Sequence, residues 1–541
     1  VELMPGFAFL IPDSKNMPFD LFIPISKVNG AKQGQKAVAR VIDWSPGSRN
    51  PVAEITQVLG WPGQHETEMH AILAEYELPY AFTEEVERDA EKISDKITEN
   101  DIKSRRDFRD LITFTVDPVD ARDFDDALSL KALPGGNWEV GIHIADVTHY
   151  VRPGSLTEDE ARQRATSVYL VDRVVPMLPE HLSNNICSLN PREDKLTYSA
   201  VFELNEKAEV INEWFGRTVI HSNRQFSYDE VQEIIENKSS EMSEVILPVY
   251  QLTQKLRKSR LENFAINFES AEVKFVLDEN GKPVDIFLYE SKESNFLIEE
   301  LMLLANKKVA EKIGKKVARQ KEIKTFVYRI HDEPISDKLE KFKTFAHKLG
   351  YDLKTGSRKA LVSSFNKMLE ESKKNHEHDM INQLTIRLMA RAVYSTENIG
   401  HYGLGFEFYC HFTSPIRRYP DVLVHRILQH CLDKDLKTDK HMEEKCKHCS
   451  ERERSAMDCE RSANKYKQVE FMQQFLGDEF DAVISGVSPF GFWAETLEHK
   501  CEGFVSIREL NLMDEFRHDE TDYALLGQKT KRKFRMGDKI K

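Results

Sequence analysis

Five aspartates fall within ten positions in DPVDARDFDD, residues 117–126, directly after the apolar run DLITFTV. Carboxylates hold hard cations, and they also repel one another. Two of them ~4 Å apart repel by about 4 kcal/mol at an effective dielectric near 20, so several in one site require a positive partner. Oxygen ligands with no interleaved histidine or cysteine suit a hard ion such as magnesium, which takes a few carboxylates and completes its shell with water and substrate phosphate. A solvated acidic loop is the competing reading. A calcium loop of the EF-hand kind does not fit, because the glycine and closing glutamate of that spacing are absent.

The neighbouring elements indicate where such a cluster must sit. DLITFTV reads as a strand, and NWEVGIHIADVTHYV, after a PGGN turn, alternates Val140, Ile142 and Ile144. The aspartates are therefore expected at a strand-to-loop junction. Residues 1 to about 60 hold short β-type runs, GFAFLIP, DLFIPIS, KAVARVIDW and VAEITQVLG, separated by turn residues. GWPGQ then marks a boundary before an acidic helical stretch. Strands and amphipathic helices mix from about 105 to 435. A charged helix follows over roughly 440–475, with opposite charges three and four apart, and short strands return from Gly477. The pattern is that of a multidomain α+β chain.

The two ends share a signature: Phe7 and Phe9 flank Ala8, and Phe490 and Phe492 flank Gly491. Aromatics at alternate strand positions project from one face, and in OB-type barrels such a face stacks nucleic acid bases. Filling of the barrel core is the competing role for the same rings.

DPVDARDFDDA closely resembles the signature that opens the catalytic RNB domain of the RNase II/RNase R family of exoribonucleases. RATSVYLVDRVVPMLPEHLSNNICSLNP, NFLIEELMLLANKKVAEKI, YRIHDEP and GHYGLGFEFYCHFTSPIRRYPDVLVHRIL resemble further family blocks in family order, so the resemblance spans nearly the whole chain. SPIRRYPD and the cold-shock region favour the RNase R branch. The implied architecture is a central mixed α/β RNB catalytic domain over 105–475, flanked by small OB-fold β-barrels. A cold-shock barrel is expected over 1–62, a helical linker over 63–104 and a barrel of the ribosomal-protein S-one type over 476–541. Against the family pattern the chain is expected to be truncated at both ends. The implied activity is processive 3′→5′ hydrolysis of single-stranded RNA, and of structured RNA with a 3′ overhang, to nucleoside 5′-monophosphates. A short oligonucleotide would remain, and the implied role is RNA degradation and quality control. DNA is expected to be a poor substrate, because contacts to the 2′-hydroxyl distinguish RNA.

Carried over position by position, the resemblance implies that Asp117, Asp123 and Asp126 ligate magnesium, as one or two ions, with manganese as the alternative. Asp125 is implied to position the water held by the metal, or the second ion, and Asp120 to have a minor outer role. Tyr169 in TSVYL matches the tyrosine that stacks on a base near the 3′ end and sets the final product length; a core strand tyrosine is the alternative. Arg417 in SPIRRY matches the arginine that contacts the scissile phosphate, and Arg418 is a candidate to share that role. Ser414 and Pro415 read as the cap and first position of a helix whose free amides would face phosphate, with Pro420 interrupting it.

Other features receive structural readings. The formal charge of −14 argues weakly against a nucleic acid partner, although whole-chain charge is a poor guide to a local channel. CKHC, with Cys446, Cys449 and nearby His441 and Cys459, has only partial zinc spacing and lies in a charged helix. His143, His401, His411 and His425 are expected to bond backbone or substrate. The IEELMLLANKKVAEKI helix is expected to pack into the core, with Glu299 and Glu300 as candidates to line a channel. No apolar run reaches the ~20 residues that cross a bilayer. Seven thinly spread cysteines read as reduced thiols. A cytoplasmic monomer without membrane contact is the expectation. A noncatalytic RNA-binding regulator is the rival function, disfavoured by the intact aspartate motif.

Overall fold

The computed structural model describes residues 1–541 other than 15–16, 239–241, 269–270, 320–324, 375–376 and 513. The N-terminal β-type runs form one five-stranded sheet from Glu2–Met4, Phe7–Leu10, Leu21–Pro24, Lys36–Asp43 and Val52–Gly60, with the last strand between the third and fourth. Period-two alternation sorts its side chains. Ala8, Leu10, Leu21 and Ile23 enter a small core with Ala53 and Ile55, while Phe7 and Phe9 lie half-buried between these core positions. Three short helices follow, His65–Glu75, Glu84–Glu91 and Glu99–Lys103. Thr83 and Thr98 cap the second and third by accepting the N–H groups of Val86 and Asp101.

The central sheet runs in the order Glu193–Leu204, Trp138–Ala145, Asp126–Ala132, Thr113–Asp117, Val210–Ser227, Arg106–Asp107. Val210–Ser227 is long enough to serve two partners. It pairs antiparallel with Glu193–Leu204 and then, past a bulge between Ser222 and Arg224, parallel with Thr113–Asp117. Five strands thereby close into a ring. Closure buries both faces: Val140, Ile142 and Ile144 lie in the main core on one side, and His143 is enclosed on the other. His143 sits between Ser129 Oγ (2.8 Å) and Ser199 Oγ (2.7 Å), and burial lowers its pKa to about 3, so it is a neutral structural residue.

The helix Glu293–Arg319 packs against this ring through Leu301, Ala305, Val309 and Ile313, as its apolar periodicity predicts. Glu300 is not a channel residue. It is buried and ion-paired with Arg260 (Nε to Oε1 3.0 Å), which Glu299 also contacts from the exposed side. The long helix Met442–Met472 buries Cys446, Cys449 and Cys459 among apolar neighbours, while the His441 side chain stays exposed. The C-terminal region folds two small sheets around Ile484, Phe492, Leu510, Phe516 and Leu525. Among the described residues no helix is long and apolar enough to cross a membrane.

One buried ion cluster ties the ring together. Asp146 ends the strand Trp138–Ala145 fully buried, with Arg105 Nη1 at 2.8 Å and Arg217 also against it. Arg105 further donates to the carbonyls of Thr197 and Thr218, so one guanidinium spans neighbouring strands. Burial pushes the Asp146 carboxyl up, but Arg217 and Arg105 outweigh it and hold the group below the usual carboxylate range. A depressed folded pKa means that this stabilisation is present above the unfolded value near ~3.9 and is lost as pH falls through the folded value. Asp146→Ala, which leaves the buried Arg105 guanidinium without a carboxylate and removes that of Arg217, should lower the unfolding free energy at pH 7 by about 3–5 kcal/mol in urea titrations. The gap from the parent protein should narrow below about pH 4.

Candidate active site

The strand Thr113–Asp117 ends at Asp117, and the adjacent antiparallel strand Asp126–Ala132 begins at Asp126. The intervening loop carries Asp123 and Asp125 over the mouth of the ring, at the expected strand-to-loop junction. Backbone bonds hold this loop. Phe124 N–H donates to Ser188 Oγ (3.0 Å), Ser188 Oγ–H donates to the Arg122 carbonyl (2.7 Å), and Leu189 N–H donates to the Phe124 carbonyl (3.0 Å). Ala145 N–H donates to the Asp125 carbonyl (2.8 Å), so the strand end held by Asp146 also holds Asp125. Asp120 is exposed and stands outside this arrangement.

The carboxylates crowd. Burial, then the charges of Asp126 and Asp123, pushes Asp117 well above the usual range. Burial raises Asp123 and Asp125 as well, and raises Asp126 to about 6. Arg417 opposes the shift in all four. Asp125, 3% exposed, accepts the Ile416 N–H at 2.8 Å through Oδ1, while its Oδ2 lies 3.4 Å from Arg417 Nε. Asp117 Oδ2 and Asp125 Oδ2 are buried without a hydrogen-bond partner among the described residues. The donor set therefore fits a hard cation in kind, being all oxygen, anionic and under-satisfied. It is not a closed shell, since no three His, Cys, Asp or Glu side chains among the described residues converge to hold a metal by themselves.

The segment bearing Arg417 departs from expectation. Residues 415–417 form a turn, and the helix begins only at Tyr419, with Pro420 in its first turn, where a missing N–H is harmless. Ser414 and Pro415 therefore do not cap a helix, and Pro420 starts one instead of interrupting it. The amides expected to face phosphate are engaged: Ser414 N–H donates to Asp421 Oδ1 (2.8 Å) and Ile416 N–H to Asp125. Asp421 also accepts Arg418 Nη2 at 2.8 Å. Arg418 is thus committed to a buried carboxylate and does not share the exposure of Arg417, whose Nη2 donates to Ser414 Oγ (2.9 Å).

Tyr169 lies on the short strand Val168–Tyr169 and is 41% exposed, not a core residue. Its segment is tied to that of Arg417, because Ser167 N–H (3.0 Å) and Thr166 Oγ1 (3.3 Å) both donate to the Arg417 carbonyl. The Tyr169 N–H donates to Glu460 Oε1 at 2.9 Å. Tyr228, not singled out by motif, follows Ser227, the parallel partner of Asp117. Burial raises its hydroxyl pKa, and Asp126 and Asp117 raise it further, which places it beside the cluster. Its only sequence signal is the capping box from Ser227 to Glu230 that starts the next helix. His425 Nε2 meets the Phe412 carbonyl (2.7 Å), His411 Nδ1 meets Tyr394 Oη (2.8 Å) and His401 Nδ1 accepts the Leu404 N–H (3.3 Å). Burial lowers the pKa of all three.

The barrels differ. At the N-terminal sheet Phe7 and Phe9 cluster with Phe22, at ring centroid distances of 5.4–6.0 Å, away from the core residues. At the C-terminal barrel the aromatic pair splits. Phe490 is 76% exposed in a turn, whereas Phe492 is 3% exposed in the core against Phe534, so Phe492 is unavailable to a ligand. The alternation there begins one residue later than expected, and the surface pair is Trp493 with Phe504 on the neighbouring strand (4.9 Å).

The chain matches the RNB domain over residues 105–434 and the cold shock domain over residues 9–83. It is 37% identical to Ribonuclease R of Thermotoga maritima over 551 residues, covering 99% of this chain and 76% of that protein. The structure is similar to that of Mycoplasma genitalium RNase R in complex with ribose methylated single-stranded RNA, with a TM-score of 0.89, 26% identity, and coverage of 99% and 86% of the two chains. The same enzyme in complex with double-stranded RNA matches with a TM-score of 0.83 and 26% identity, over 92% of this chain and 90% of that one.

Asp421 shapes the turn that aims Arg417, without itself reaching the mouth. Asp421→Ala should lower kcat by about tenfold to a hundredfold through misplacement of Arg417. RNA-binding affinity should change far less; single-turnover kinetics beside equilibrium binding check this split.

Proposed function

The chain belongs to the RNB family of exoribonucleases, which are hydrolases, and from that premise we propose that it degrades RNA from the 3′ end in the manner of the RNase R type. The observation that supports the reading is the crowding of Asp117, Asp123, Asp125 and Asp126 at one mouth, with the charge of the partly exposed Arg417 guanidinium acting on all four. The substrates proposed are single-stranded RNA and structured RNA with a 3′ overhang, in line with the RNA-bound forms of the Mycoplasma genitalium relative. Cleavage is proposed to be processive, releasing nucleoside 5′-monophosphates and leaving a short oligonucleotide, in RNA degradation and quality control. Unpaired, buried cysteines suit a reducing setting, and the cytoplasm is the proposed one, with the chain acting as a monomer.

Asp117, Asp123 and Asp126 would hold magnesium, as one or two ions with manganese as the alternative; such an ion would relieve the unpartnered Asp117 Oδ2 and offset the burial that raises all three carboxyls. Magnesium held there would supply Lewis-acid polarisation of the phosphate and a more acidic water. Asp125, fixed at its carboxylate by the Ile416 amide and at its carbonyl by Ala145, orients the attacking water or completes a second ion site. Arg417 offers a planar fork to the scissile phosphate and stabilises charge that develops in the transition state. Tyr169, with its backbone held by Glu460, stacks on a base near the 3′ end, so its distance from the carboxylates sets where cleavage stops. Phe7, Phe9, Phe22, Phe490, Trp493 and Phe504 offer rings to the incoming strand.

A 5′-labelled single-stranded RNA followed on a sequencing gel tests this reading. In magnesium the parent chain should shorten it progressively to a short end product, and chelator should stop the reaction. Asp125→Asn should slow the reaction by at least about a hundredfold while still binding RNA. Tyr169→Ala should change the length of the end product and leave cleavage itself intact. Stable binding without shortening in magnesium would instead leave an RNA-binding protein without nuclease activity.

A further inference from the structure

A cavity of about 690 Å³, away from the carboxylate mouth, lies where the N-terminal sheet meets the catalytic body. This is within the ~300–1,000 Å³ typical of small-molecule sites. Gln57 of the strand Val52–Gly60 and His70 of the helix His65–Glu75 line one side; Gln163, His448 and Arg452 line the other. Tyr80 sits on the loop between them. Its ring stacks on His70 at 4.1 Å and 24°, and its hydroxyl accepts the Gln57 amide at 2.7 Å, yet the residue remains 44% exposed. A ring held on one side and open on the other is a platform for a flat partner.

Arg452 supplies the second feature. Its Nη2 donates to the Glu77 carbonyl at 3.0 Å, but its Nε is buried with no hydrogen-bond partner among the described residues. Burial lowers its pKa, and the Glu77 carboxylate only partly restores it. Arg164, close enough to feel Arg452 as a repelling charge, is already paired with Glu160. Such a guanidinium keeps a donor, Nε, for an anion, and the Gln57 and Gln163 amides add donors and acceptors beside the aromatic platform.

We propose that this cavity is a second, noncatalytic nucleotide site, with the base stacked on Tyr80 and the phosphate on Arg452. The nucleotide has two possible sources, a free mononucleotide or a residue of the RNA strand. Neither residue belongs to the acidic mouth, so this site and the exonuclease reading stand or fall separately.

Calorimetric titration of the full chain in chelator with adenosine 5′-monophosphate, and with a short oligoadenylate, distinguishes the sources. Single-site binding of the mononucleotide is expected, and it should persist in Asp125→Asn. It should weaken by roughly tenfold or more in Tyr80→Ala and in Arg452→Ala. Tyr80→Phe and Arg452→Lys, which keep the ring and the charge, should bind close to the parent value and exclude misfolding as the cause. If only the oligonucleotide binds, with a photo-crosslink at Tyr80 that needs Arg452, the nucleotide belongs to the RNA strand. Binding and crosslinking of both ligands unaltered by Tyr80→Ala and Arg452→Ala would overturn the proposal.

Discussion

Mutual repulsion among four carboxylates at the mouth of a closed strand ring is the constraint around which this molecule is arranged. Left to themselves, Asp117, Asp123, Asp125 and Asp126 would spread into water. Instead the backbone on either side is fastened: Ser188 and Leu189 hold the loop at Arg122 and Phe124, and Ala145 and Ile416 hold Asp125. The strain appears as raised carboxylate pKa values and as oxygens without partners, the usual signature of a site shaped for something other than stability. Stability is recovered elsewhere, in an apolar core around the ring and in the Asp146 ion cluster at the end of the strand that holds Asp125.

The same economy governs the basic side of the site. Two consecutive arginines have different functions because one acidic neighbour divides them. Asp421 takes Arg418 and the Ser414 amide, making a rigid turn, and Arg417 is left facing the carboxylates. The Arg417 carbonyl, in turn, accepts two bonds from the segment that leads into Tyr169. The groups proposed to grip phosphate and base are thus parts of one hydrogen-bonded unit, which is how residues far apart in sequence keep a fixed spacing.

The two small barrels show how far a local pattern can be carried. Around Ala8 the alternation of Phe7 and Phe9 coincides with the strand, so both rings leave the core side and gather Phe22. Around Gly491 the same pattern straddles a turn. Phe490 stays in the turn, Phe492 becomes the first inward position of the next strand, and the surface role passes to Trp493 and Phe504. Gly491 permits this through its φ of +146° and the close approach of the Val505 carbonyl.

The sequence alone was sufficient for the strand character of DLITFTV and its neighbours, the placement of the aspartates at a junction and the apolar face of Glu293–Arg319. These are matters of periodicity and residue chemistry within a few positions, and such information is local. Tertiary structure decided what depends on contacts between distant segments. The engagement of Arg418 by Asp421, the start of a helix at Tyr419, the staple at Ser188, the approach of Tyr228 to the carboxylates and the burial of Glu300 against Arg260 all arise that way. Spacing in the chain assembles a set of charges; which of them meet, and which stay free to meet a substrate, is settled by the long-range contacts that bring residues 117–126 against residues 414–421.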